Sequence, residues 1–230
     1  MDKQTIVANL RRDLHNVMEM RNQVTHSPLA GARLALREFQ SARLAATHAD
    51  LLAQPQTAAA ARFFLDDLYG INDFTRRDAD LERVVPMMER VLPAVALKYI
   101  AEAIELDCQS EAFDCAMAAL LGARFGLEDY ARAYLRVKTR AEREAQIGHI
   151  ESVGRSLCEL VHMPLMAASM KAMALPAKLA RLSELHHFLE AGFSAFRQMK
   201  NPEEFVTTIV QRERTILENL YAGKAQPFCY

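Results

Sequence analysis

The chain has 230 residues, 51% hydrophobic and 25% charged, an ordinary globular composition at a length where one domain buries roughly 70–75% of its unfolded surface without props from disulfides or metals. Its 28 Lys and Arg balance 29 Asp and Glu for a net charge of -1, which argues against a protein that grips nucleic acid through a basic surface. No run of ~18 apolar residues could cross a bilayer, and the opening MDKQTIVANLRRDLHN lacks the apolar core of a secretory signal, so no membrane partner and a cytoplasmic location are expected.

In chain order, Ile6, Leu10, Leu14 and Val17 recur at helical spacing and predict a first helix over residues 3–25. Ser27-Pro28 reads as an N-cap followed by proline at the first helical position, opening a second helix to about Asp50 that buries Leu29, Ala32, Leu36 and Phe39. After Gln54-Pro55 a third helix runs through Phe63, Phe64, Leu65 and Leu68 to Gly70, a natural end residue. Thr75 with Asp78 starts the next helix, which Pro86 kinks or divides, and Pro93 opens another that reaches Leu121, with a break weighed at Gln109-Ser110.

Leu127 to about Val161 reads as one helix whose charged middle, residues 138–144, is taken as solvated surface. Pro164 and Pro176 isolate a short Met-rich segment, Leu179–Met199 is strongly amphipathic, and Asn201-Pro202 opens a last helix that ends before Gly223. Helix formers dominate and no strand pattern competes. The expectation is an all-α bundle of about nine or ten helices, a single helical domain over 1–223 with a C-terminal tail at 224–230.

Four cysteines occur without a CxxC pair. Cys108 and Cys115 lie on one helix, about 10 Å apart at 1.5 Å per residue, too far to bridge, so free, buried thiols are expected. No P-loop, GxGxxG, GxSxG, HExxH or haem-attachment motif is present. Two Glu-x-x-His pairs, Glu159/His162 and Glu184/His187, have the spacing that di-iron bundles use. Their short, proline-bounded connection argues against one shared centre, and no cofactor is the primary expectation. Iron held by these pairs, or haem held by one histidine, is the alternative.

Met163, Met166, Met170 and Met173 stripe one face of the Met-rich segment. Methionine fills irregular cores or lines adaptable grooves; the functional reading is an apolar groove there, with His162 and His186 orienting a bound molecule. The densest polar stretch is a corner comprising Arg62, Asp67, Tyr69, Asp73, Arg76 and Arg77. It reads as a structural clamp of arginine–carboxylate pairs, or alternatively as a small anion pocket.

That corner also carries a resemblance. Residues 61–65 (ARFFL), 67–70 (DLYG), Asp73-Phe74 and 77–81 (RDADL), with Phe196, Arg197, Met199, Phe205, Arg212, Glu213, Pro227 and Phe228, are similar to a block in an uncharacterised bacterial family of helical proteins. The resemblance implies a stand-alone helical domain and brings no activity, cofactor or catalytic residue with it. The expected function is therefore a non-catalytic binding or interaction protein, with a hydrophobic small molecule or a partner protein helix as occupant and a homodimer as one open assembly. The alternative is a helical metal- or haem-dependent enzyme built on the His/Glu positions.

Overall fold

The first helix, α1 (Lys3–Thr25), is capped by Asp2, whose carboxylate accepts the Thr5 N–H at 2.8 Å. A computed structural model describes residues 2–68, 75–164, 166–168, 171 and 183–229, with backbone alone at 67–68, 75–79, 91 and 183–185. Ile6, Leu10, Leu14 and Val17 are buried on α1, the stripe its sequence spacing requires. They face α5 (Thr75–Val91) and α6 (Ala94–Leu121). Lys3 donates to the Leu92 carbonyl at 2.9 Å, and Arg21 reaches Asp107 at 2.7 Å, so α1 and α6 run parallel.

Helix α2 (Ala30–Thr47) crosses the C-terminal half of α6, and the chain then makes two short turns, α3 (Ala49–Ala53) and α4 (Ala58–Arg62). A π-helical segment, Phe63–Leu68, continues α4. Helix α7 (Leu127–Val137) leads into α8 (Arg140–His162), which lies antiparallel on α6. Four side-chain pairs fix that register: Tyr99 donates to Glu159, Ser156 to Glu102 at 3.3 Å, Gln146 to Ser110 at 3.2 Å and Arg143 to Met117 Sδ at 3.4 Å. Helices α9 (Ser183–Gln198) and α10 (Pro202–Tyr221) complete the bundle. All regular elements among the described residues are helical, ten α-helices and one π-helical segment, so the all-α expectation holds.

Two glycines set how closely these layers approach. A Cβ on Gly154 would sit 2.7 Å from Val206 Cγ1, and one on Gly192 would sit 2.6 Å from Phe63 Cζ. Glycine at these two positions lets α10 lie close on α8 and lets the Phe63 ring lie against α9. Phe63 is buried where Phe64 is only partly so, and the two rings join Phe188, Phe196 and Phe205 in one aromatic group.

Several sequence expectations need correction. Residues 127–161 form two helices, because the backbone turns extended at Lys138 and Thr139 caps the second: its hydroxyl accepts from Glu142 N while Glu142 accepts from Thr139 N at 2.9 Å. The charged run 138–144 is not all solvated surface, since Arg143 is 4% exposed. Pro86 sits inside α5 without dividing it, and α6 passes through Gln109-Ser110 unbroken. Ser27 caps the turn ahead of α2, where Leu29 N donates to its hydroxyl at 3.1 Å, and the helix begins only at Ala30. All four cysteines are free, but Cys158 alone is buried and Cys229 is exposed.

Beyond Gly223 the chain turns back. Asn219, buried on α10, donates from Nδ2 to the carbonyls of Pro227 and Cys229 at 3.0 and 2.9 Å. Phe228 is thereby set edge-on against Phe39 and Tyr130, under the Arg43 guanidinium. Helical domains commonly have one contiguous core. Here the buried side chains fall into three clusters: one between α1, α5 and the start of α6; one between α3, α4, α8, α9 and α10; and one between α2, the end of α6 and α7.

Candidate binding cavity

A cavity of about 460 Å³ is lined from all three clusters, which also touch through shared neighbours, Phe188 and Phe193 between the first and second and Tyr134 between the second and third. It follows the α6–α8 pair: Tyr99 and Leu160 line one end, Asp114 and Arg143 the other. Those α6 positions lie about 22 Å apart at 1.5 Å per residue, so the cavity is elongated along the helix pair.

The two ends differ in chemistry. At the Tyr99 end the walls are Leu81, Val84 and Met88 of α5, Ile100 and Ile104 of α6, Leu157 and Leu160 of α8, Met166, and Phe188, Leu189 and Phe193 of α9. At the Asp114 end they are Arg33, Gln40 and Arg43 of α2, Glu111 and Asp114 of α6, Tyr130 and Tyr134 of α7, Arg143 and Gln146 of α8, and Glu213 of α10. A mostly apolar cavity with a few convergent polar groups is the usual build of a small-molecule site.

Most charges at the polar end are matched. Glu111 is gripped from two sides, by Arg21 Nε at 3.1 Å and Arg33 Nε at 2.9 Å, and Arg33 also reaches Asp114 at 3.2 Å. Arg43 pairs with Glu213. Burial opposes ionisation of Glu111 and Glu213, but the neighbouring guanidiniums overcome it and hold both carboxyls down at about 2. Asp114 is the exception, pushed up by burial despite Arg33 and the 2.9 Å hydrogen bond from Gln40.

Arg143 has a different environment. Its Nη1 donates to Gln146 Oε1 at 3.3 Å and its Nη2 to the Met117 thioether, while Nε has no acceptor. The guanidinium lies 3.9 Å from the Tyr134 ring centre and 4.9 Å from that of Phe113. No carboxylate is within ion-pair distance of it among the described residues. Arg33 Nη1 and Arg43 Nε are also buried N–H groups without acceptors.

The residues singled out from sequence are only partly brought together here. Met166 and His186 line the cavity, His186 with its Nδ1 3.8 Å from Glu190 Oε2. Met163 is partly buried beside the first cluster, and Met170 and Met173 lie outside the described residues. His162 is exposed, with Nδ1 2.7 Å from the Cys158 carbonyl, closing the end of α8. Glu159 accepts from Tyr99, His187 is exposed, and the side chain of Glu184 lies outside the described residues. No group of three potential metal ligands occurs among the described residues. Of the polar corner, Arg62 is exposed and borders a second, open depression between α4 and α9. The side chains of Asp67, Arg76 and Arg77, and Tyr69 and Asp73 altogether, lie outside the described residues.

Fold and site together define a helical protein built around an elongated, partly open cavity that is mostly apolar, with its buried charges gathered toward one end. Residues 19–227 match the domain of unknown function DUF8198, and the chain belongs to that family. No curated protein and no solved structure matches it. No described helix is long and apolar enough to cross a membrane.

Proposed function

We propose that this protein is a non-catalytic binding protein that encloses one small hydrophobic molecule in its interior. The observation that carries this reading is the 460 Å³ cavity lined from all three core clusters. Protein interiors pack at crystal density, and a void of this size forfeits the contacts its walls would otherwise make. An occupant restores them.

The groove expected along the methionine stripe is thereby relocated to the centre of the bundle, with Met166 as one wall. Absence of catalysis is the better reading of the ionisable groups. Glu111 and Glu213 are held at about 2 and the Cys115 and Cys158 thiols are pushed up by burial to about 11, far from the neutral range where acid–base and nucleophilic groups work.

The test is to fill the cavity. Ala103, on α6, lines its wall, and Ala103→Phe places a ring in the void. Wild-type protein is expected to bind one equivalent of an environment-sensitive apolar probe, and Ala103→Phe is expected to lose that binding while its melting temperature is retained or raised. Equal probe binding by a folded Ala103→Phe protein would overturn the reading.

A further inference from the structure

The chemistry of the cavity's charged end names the class of its occupant. We propose that the ligand is an amphipathic monoanion, a long-chain carboxylate, with its tail along the α5–α9 walls and its carboxylate beside Arg143. This inference rests on the cavity being a binding site and adds the identity of the headgroup and its direction.

Three observations carry it. First, Arg143 is 4% exposed and has no carboxylate within ion-pair distance among the described residues, although every acid at that end of the cavity has an arginine or amide partner. A buried charge is costly unless paired. The Tyr134 and Phe113 faces and the Met117 sulfur recover only part of that cost. Second, Arg33 Nη1 and Arg43 Nε add buried donors without acceptors in the same region. An entering carboxylate brings two acceptor oxygens and one negative charge, matching one unpaired cation. Third, the buried charges gather toward one end of an elongated cavity whose other walls are mostly apolar, with Tyr99 and His186 as polar groups there. A compact anion would leave the apolar end empty, and a neutral hydrocarbon would leave Arg143 without a counter-charge.

The direction follows from the α6–α8 register. The headgroup lies where Arg143 faces Met117, and the tail extends toward Ile104, Leu160 and Phe188.

The experiment measures binding of a long-chain carboxylate and of the alcohol of equal length, by titration calorimetry at neutral pH, to wild-type, Arg143→Met and Arg143→Lys proteins of verified helicity. Wild type is expected to favour the carboxylate about 10- to 100-fold, the range of one or two charge-assisted hydrogen bonds. Arg143→Met is expected to lose that preference while still binding the alcohol, and Arg143→Lys to keep part of it. Equal affinity of wild type for both compounds, or an undiminished preference in Arg143→Met, would overturn the headgroup assignment and leave the cavity reading standing. Failure of both compounds and of the apolar probe to bind wild type would overturn the cavity reading itself.

Discussion

Glu111 and Arg143 are buried to the same degree, 4% exposed each, at the same end of one cavity, and their surroundings could hardly differ more. Glu111 sits between two guanidiniums and also receives the Cys115 thiol. Its hydrogen-bonding capacity is spent within the protein, and the result ties α1 and α2 to α6. Arg143 lies between aromatic faces and a thioether, with an amide oxygen as its one conventional acceptor. A saturated buried ion cements helices together. An unsaturated one keeps capacity for something that arrives later.

The largest effect is expected from breaking the saturated site. Glu111→Gln keeps the volume and removes the charge that two arginines share, which costs about 3 kcal/mol. In a chain of this size that is a loss of roughly 6–12 °C in melting temperature by circular dichroism. The same site has a pH signature. Because Glu111 and Glu213 are held at about 2, below their ordinary 4.5, their stabilisation is complete above pH 4.5 and is lost as pH falls from there toward 2. Urea midpoints of wild type should decline across that window, and those of Glu111→Gln should decline less steeply. Asp114, raised above its ordinary value by burial, acts in the opposite sense and favours the folded state at lower pH.

The apolar end provides the control. Gly192→Ala drives a methyl group into Phe63 and should cost about 1–3 kcal/mol through overpacking, with the acid dependence unchanged. Thr139→Ala removes the cap of α8 and should cost about 1 kcal/mol. Since that helix start carries Arg143 one turn on, carboxylate preference should weaken more than alcohol binding does. Smallest of all, Arg143→Met should leave thermal stability within about 1 kcal/mol of wild type or raise it, as apolar replacement of an unpaired buried ion does. A loss as large as that of Glu111→Gln would show that Arg143, too, serves mainly to hold the fold, and the contrast between the two sites would dissolve.

Much of the fold was legible because its signals are local. The α1 stripe, Pro93 ahead of α6 and the Asn201-Pro202 start of α10 each lie within a few residues of the element they define. Arg143 was not legible. Within KTRAERE it looks like its solvated neighbours, and what buries it are Phe113 and Met117 on another helix together with Tyr134 on a third. The capping pair Thr139-x-x-Glu142 was a readable signal of the break between α7 and α8, and it was masked by the charge density around it. The cavity had no sequence signature at all. It is lined from three clusters on helices far apart in sequence, and periodicity reports which face of a helix is apolar but not how tightly the facing surfaces pack. The methionine stripe drew attention to the neighbourhood, and Met166 does line the cavity. The donors that give the site its chemistry came from α2 and α8, far off in sequence.

The parallel seating of α1 on α6 also dictates a schedule. Arg21 and Asp107 are separated by 86 positions in the chain, and a ribosome adding about 5–20 residues per second needs roughly 4–17 s to bridge them. Throughout that interval Ile6, Leu10, Leu14 and Val17 are already made while the helix that covers them is still unfinished. Helix α5, which also packs on this stripe, is itself completed only at Val91. For those seconds the nascent protein displays an amphipathic segment of the kind that holding chaperones and other nascent chains bind. Crowded, rapid expression should therefore penalise this protein through α1 first, whatever the stability of the finished molecule.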